Sequence, residues 1–160
     1  MEYNGIELNM DWTPDKAVSY RDMPPIPGIY AELHIKSYGV RIGMSANLKE
    51  RHNEAHGWFN KMQAGTARER DQKRNNVHCQ AAKLDGASGF AHFIISTDPR
   101  LSDESLRKEV ETYLFQWVAQ SPLYLDFNTQ RGHRNALQFS TIEQAIAYHA
   151  SRVPQENDNG

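Results

Sequence analysis

From Gly28 to Lys36 apolar and polar residues alternate without a break. Ile29, Ala31, Leu33 and Ile35 occupy one register, and Tyr30, Glu32, His34 and Lys36 the other. A period of two places every second side chain on the same face, so this stretch predicts a β-strand with one apolar face to bury. Ser37-Tyr38-Gly39 has turn composition, after which Val40 and Ile42 alternate with Arg41 and Gly43. The return predicts a β-hairpin. Pro24, Pro25 and Pro27 lie just before it and mark the entry to a domain. Residues 1–22 are polar with scattered apolar positions and read as an N-terminal extension.

A helix should follow the hairpin. Asn47 and Glu50 have the spacing of a capping box, with Ser45 as a competing cap. Leu48, Ala55, Phe59 and Met62 recur at helical spacing and form its buried stripe. Residues 63–76 have no apolar face and read as a loop or exposed helix, and Val77–Leu84 as a short helix or strand. Phe90–Ile95 is apolar and β-rich, a third strand. The strongest helix is 103–118, capped by Ser102 or Asp103, with Leu106, Val110, Leu114 and Val118 in one wide stripe. Residues 121–139 are loop-like, and Ser140-x-x-Glu143 predicts the cap of a last helix. The expectation is one α/β (α+β) domain over 23–150. It has a small central antiparallel sheet of about three strands flanked by helices, a basic insertion over about 61–88, and a disordered tail over 151–160.

Composition narrows the function classes. The chain has 160 residues, 39% apolar and 24% charged, which suits one globular domain. No run approaches the roughly 20 apolar residues of a membrane span. The start, MEYNGIELNM, lacks a basic end and an apolar core, so no signal peptide is expected. A single cysteine, Cys79, excludes an internal disulfide framework and a cysteine zinc site, and a reducing cytoplasm is the expected compartment. The net charge is −2, but residues 41–83 hold 9 Lys+Arg against 4 Asp+Glu, while the rest holds 9 against 16. The basic middle is either a phosphate-facing surface or a solvated face.

Three polar groups stand where polar residues need a reason. Arg51 falls inside the apolar stripe of the first helix, so it is either a structural ion pair or an anion site held by a planar fork. Tyr30 and Arg41 should project from the same face of the hairpin, either as a cross-strand aromatic–cation contact or as a phenol whose ionisation a cation favours. Glu109 and Glu111 flank the stripe of helix 103–118. They are either exposed charges or the source of one carboxylate for Mg²⁺, which takes one or two carboxylates plus substrate phosphates. His52 and His56 are four residues apart, a spacing that can bind zinc, but no Glu follows His52 as a zinc protease requires.

Pro27-Gly28-Ile29-Tyr30, Arg41-Ile42-Gly43, Leu48 and Arg51 together resemble the signature of the GIY-YIG nucleases over roughly residues 24–130. In that family a Gly-Ile-Tyr strand is followed by Tyr-Ile-Gly and then by a helix carrying Leu and Arg at fixed offsets. A later helical glutamate has apolar residues three and four positions on, and Glu111 with Leu114 and Phe115 fits this better than Glu109. Arg41 stands where the family usually has a second tyrosine. Ala55 stands where it often has His or Tyr, with His56 one step beyond, and the interval to Asn128 is long.

The resemblance implies metal-dependent hydrolysis of DNA phosphodiesters. Tyr30 would act as general base or orient the attacking water, helped by Arg41. Arg51 would hold the scissile phosphate, and Glu111 would bind Mg²⁺ (or Mn²⁺) at the leaving 3′-oxygen. His56 would be an auxiliary catalytic residue, and Asn128 would close the domain beside the DNA. Arg68, Arg70, Lys73, Arg74 and Lys83 would contact the DNA backbone. A homodimer is compatible with double-strand cutting. A catalytically inactive relative that binds nucleic acid, or an inhibitor-like protein that binds another protein, would use the same scaffold without the chemistry.

Overall fold

A computed structural model describes residues 1–133 and 139–152. The chain opens on a small hairpin, β1 (Glu2–Tyr3) and β2 (Ile6–Glu7), turned at Asn4 and Gly5, both at positive φ. The stretch read as an extension belongs to the core, since Ile6, Leu8 and Trp12 are buried against the sheet. They arrive from short or irregular backbone, so no sequence period flags them.

The predicted hairpin is β3 (Gly28–His34) and β4 (Gly39–Ser45). Its turn is residues 35–38, with Tyr38 at φ 56°, and the register sets Tyr30 opposite Gly43 and Glu32 opposite Arg41. The motif glycines have steric reasons. A Cβ on Gly43 would lie 2.7 Å from Cε2 of Tyr30 and closer still to Cζ and the hydroxyl oxygen. A Cβ on Gly28 would meet Leu48 Cδ1 and the Ser96 carbonyl at 2.7 Å each.

Helix α1 (Leu48–Ala64) follows, with Asn47 Oδ1 accepting from the Glu50 backbone N–H at 3.1 Å. Ser45 does not cap the helix; its hydroxyl accepts from the Asn47 N–H at 3.0 Å and holds the cap in place. The basic stretch folds into α2 (Glu69–Gln72) and α3 (Val77–Asp85), the latter capped by Asn76. Strand β5 (Phe90–Ser96) and helix α4 (Glu104–Ala119), capped by Asp103, match the sequence pattern. Strand β6 (Leu125–Asp126) precedes α5 (Ile142–Arg152). The start of α5 is one residue later than the predicted box. Thr141 Oγ1 accepts from the Gln144 N–H, and Gln144 Oε1 accepts in return from the Thr141 N–H. The helix runs two residues into the expected tail, and residues 153–160 lie outside the described part of the chain.

The sheet order is β5-β3-β4-β6. The expected antiparallel sheet of about three strands is thereby corrected to a mixed one of four strands. β5, β3 and β4 are antiparallel, but β6 joins β4 in parallel. Two residues cannot display a period, and β6 sits in a segment whose composition reads as loop. One face, with Ile29, Ala31, Leu33, Val40, Ile42 and Phe93, packs on α4 and the N-terminal segment. The other faces α1 and α3, where Phe59, Met62, Ala82 and Phe90 form a second cluster with Ile142 of α5. The polar register of β3 therefore points into a gap between the sheet and two helices, not into open water. Among the described residues no helix is long and apolar enough to cross a membrane.

Candidate functional site

Tyr30 projects from β3 onto the α1 side, its ring lying over Gly43 where a side chain would collide. It is 2% exposed. One helical turn into α1, Arg51 donates from Nε to the Tyr30 hydroxyl oxygen at 2.9 Å. The two terminal amino groups of Arg51 make no hydrogen bond among the described residues, and the residue is only partly buried. Its partner is thus a neutral phenol, not the carboxylate of a structural ion pair, and most of its fork stays available to an anion.

Arg41 and Tyr30 share this face, as strand alternation requires, but Arg41 is committed elsewhere. Its Nη1 donates to Oε1 of Glu32 at 3.2 Å. Burial would raise the Glu32 carboxyl, yet Arg41, with His78, His92 and Arg51, holds it down at about 2. For Tyr30 the balance is opposite to the expected phenolate. Burial and then Glu32 raise its pKa above the ordinary phenol value, outweighing Arg51 and Arg41. The site holds a phenol that accepts from Arg51 and keeps its own proton to donate.

Glu32, Arg41 and Arg51 border a cavity of about 380 Å³ between the sheet, α1 and the α2–α3 segment, and Tyr30 stands behind Arg51 rather than on its lining. Arg41, Arg51, Arg68, Arg70 and Arg74 line it, against the carboxylates of Glu32, Glu54 and Asp71. Arg68 pairs with Asp71 at 3.4 Å. Arg70 and Arg74 make no side-chain ion pair or hydrogen bond among the described residues. Lys73 and Lys83 are not part of this cluster. Lys73 pairs with Glu69 at 2.9 Å along the helix, and Lys83 donates to the backbone carbonyls of Gln72 and Arg74.

Glu111 lies elsewhere. Helix α4 covers the opposite face of the sheet, and the Glu111 carboxylate, 3% exposed, accepts from Arg131 Nη1 beyond the outer edge of β4. That edge is fixed by Asn128 and Gln130. Asn128 Oδ1 accepts from the Ile42 N–H at 2.6 Å, and Gln130 donates to the Ile42 carbonyl. Arg131, at φ 49°, also donates to Thr112 Oγ1 at 2.8 Å. Burial raises the Glu111 pKa, while Arg131 and then Arg41 act to lower it. Among the described residues no group of three His, Cys, Asp or Glu could hold a metal. Glu111 is the kind of carboxylate a hard cation held by one carboxylate, waters and substrate phosphate would use: it is buried, and its charge is compensated by Arg131, whose side chain is 41% exposed.

Of the other residues named from sequence, His56 is not at the site. It stacks on Tyr20 at 3.9 Å on the far side of α1. Asn128 is fully buried, with both halves of its amide bonded to Ile42 and Asp126, so its position is structural. Glu109 accepts from the Tyr3 hydroxyl at 2.8 Å, away from both groups.

Three histidines that the sequence did not assign to this site stand close to Tyr30 and Glu32. His52 meets the Tyr30 ring edge-on at 4.6 Å and donates from Nδ1 to the Leu48 carbonyl, which leaves Nε2 buried without a partner among the described residues. His92 lies opposite Glu32 on β5, and His78 stands on α3; each has a buried Nδ1 without a partner among the described residues. The signal for Glu32 was in the hairpin register, which pairs it with Arg41 once the turn is taken as four residues. The histidines offered none, since their convergence depends on how α1, α3 and β5 pack.

No family model, curated protein or solved structure matches this chain.

Proposed function

We propose that this protein is a metal-dependent DNA endonuclease with a GIY-YIG-type site. The observation that carries the reading is the Arg51–Tyr30 hydrogen bond beside Gly43. It leaves the Arg51 fork facing a cavity with four further arginines. An arrangement of this kind suits a phosphodiester: Arg51 holds the scissile phosphate and stabilises the charge that builds on it. Tyr30, kept as a phenol by burial, orients the attacking water by a hydrogen bond, and its raised pKa argues against a role as resting-state base. Arg41 holds Glu32 ionised and adds positive charge to the cavity beside Arg51. Glu111 would hold Mg²⁺ or Mn²⁺, which supplies Lewis-acid chemistry when bound, and a phosphodiester would have to reach round the β4 edge to meet both it and Arg51. Arg131, which bonds both Glu111 and Thr112 Oγ1, would have to give way for that purpose. Arg68, Arg70 and Arg74 meet neighbouring phosphates.

Supercoiled plasmid incubated with and without Mg²⁺ or Mn²⁺ tests the reading: metal-dependent nicking or linearisation is expected. One feature favours a second reading. With Arg131 seated on Glu111, the same arginine-lined cavity is a nucleic-acid-binding surface without a metal ligand. Salt-sensitive binding with no cleavage in either metal would support that reading.

A further inference from the structure

We propose that the arginine-lined cavity receives a single unstacked nucleotide, so that the substrate is DNA offering an unpaired base and not an uninterrupted duplex. This rests on the reading of the chain as a DNA-processing protein, and it concerns which DNA. Phosphates along a duplex need only an open basic surface. Here the basic groups surround a recess of about 380 Å³, within the size range of small-ligand sites.

Its wall is aromatic. The Trp58 ring is half-buried on α1 and lies parallel to His78, with centroids 5.7 Å apart and planes 9° apart. Among the described residues Trp58 is the only tryptophan or tyrosine on the cavity lining. His78 is 92% buried by accessible surface, and its Nδ1 has no partner among the described residues. The floor is the Glu32–Arg41 pair, an acceptor beside a donor. Every nucleobase carries a donor next to an acceptor on its pairing edge, so a base leaning on Trp58 finds complementary groups beneath it. Arg70 and Arg74 on its lining, without an ion pair among the described residues, are placed for its phosphate. A base inside a duplex cannot reach these groups without leaving the stack, and that costs least where it is already unpaired.

The test is binding in EDTA, read by fluorescence anisotropy, of a short perfect duplex and of the same duplex with a one-nucleotide bulge. The expected result is about tenfold tighter binding of the bulged DNA, the scale of one base–aromatic stack. Trp58→Ala should bring the two affinities within about twofold of each other, and Trp58→Phe should keep most of the preference. Circular dichroism of both variants checks that they fold. Equal binding of the two DNAs by the unaltered protein overturns the proposal, as does a preference that survives in folded Trp58→Ala. A parallel arm with Mg²⁺ separates the two readings. Bulged DNA preferred but uncut leaves the pocket assigned and removes the nuclease reading. Both DNAs bound alike and cut removes the pocket assignment alone.

Discussion

Gly43→Ala should damage the site from a position that touches no substrate. The added Cβ would stand 2.7 Å from Tyr30 Cε2 and closer to Cζ and the hydroxyl oxygen. Ordinary carbon contacts lie at roughly 3.5–4 Å, so the ring must move by about 1 Å. Leu48 and Met23 pack beside the ring and His52 meets its edge, so the free direction is limited. A shift of that size carries the hydroxyl out of line with Arg51 Nε, now 2.9 Å away. Overpacking of this kind costs about 1–3 kcal/mol. For a chain of this size that is a fall in Tm of roughly 3–10 °C. A misplacement of about 1 Å in a catalytic group costs on the order of a hundredfold in rate. The measurements are a thermal melt and Mg²⁺-dependent plasmid cleavage on the folded variant, with DNA affinity alongside. Affinity should change little, since Arg68, Arg70 and Arg74 stand on other elements. A folded Gly43→Ala variant with undiminished cleavage would refute the placement of Tyr30 in the reaction.

Arg51→Lys keeps the charge but loses the fork that bonds Tyr30 and a phosphate at once, so cleavage should fall by orders of magnitude with folding intact; a near-normal rate would return Arg51 to a structural part. Neutralising Arg70 and Arg74 together should lower the salt dependence of DNA binding by up to about two phosphate contacts, whereas Lys73→Ala should leave it unchanged because Lys73 pairs with Glu69 off the cavity. Equal salt slopes in all three proteins would exclude the cavity as the DNA surface. Acid should weaken the fold early. Burial holds His78 down to about 3 and His92 to about 4, so the unfolded chain takes up these protons first as pH falls below about 6.5. Their contribution is complete above pH 6.5 and is lost toward pH 3–4, on the order of 2 kcal/mol for each histidine by pH 5. The Glu32 contribution is lost lower, between about 4.5 and 2. Melting temperatures from pH 7.5 to 5 should decline, and a flat profile would contradict the buried neutral state.

Local pattern carried the elements that have a period. The stripe Leu48-Ala55-Phe59-Met62 and the stripe of helix 104–119 appear where the residues indicate, because each buries one face against the sheet; the alternation of 28–36 gives the strand, which ends at His34 with Ile35 exposed in the turn and is buried on both faces instead of one. Trp12 and the two-residue strand β6 have no period to read. The site divides in the same way. Tyr30, Arg41 and Arg51 follow from register and helical phase, so their common face was legible. His78, His92 and the turning of Arg131 onto Glu111 depend on distant segments packing together, and the net rise in the Tyr30 pKa depends on burial that no local pattern expresses. Asn128 was legible as a special residue but not in its role, since a fully buried amide bonded to the β4 backbone looks in sequence like any polar loop residue.

The most direct test of the nuclease account is the Glu111→Ala variant assayed beside the unaltered protein, with plasmid cleavage in Mg²⁺ and Mn²⁺ and DNA binding in EDTA measured on the same samples. The account predicts metal-dependent cleavage by the unaltered chain. It predicts none by Glu111→Ala, with binding retained because Glu111 lies outside the arginine-lined cavity. Cleavage that persists in folded Glu111→Ala, or that proceeds equally in EDTA, would contradict it.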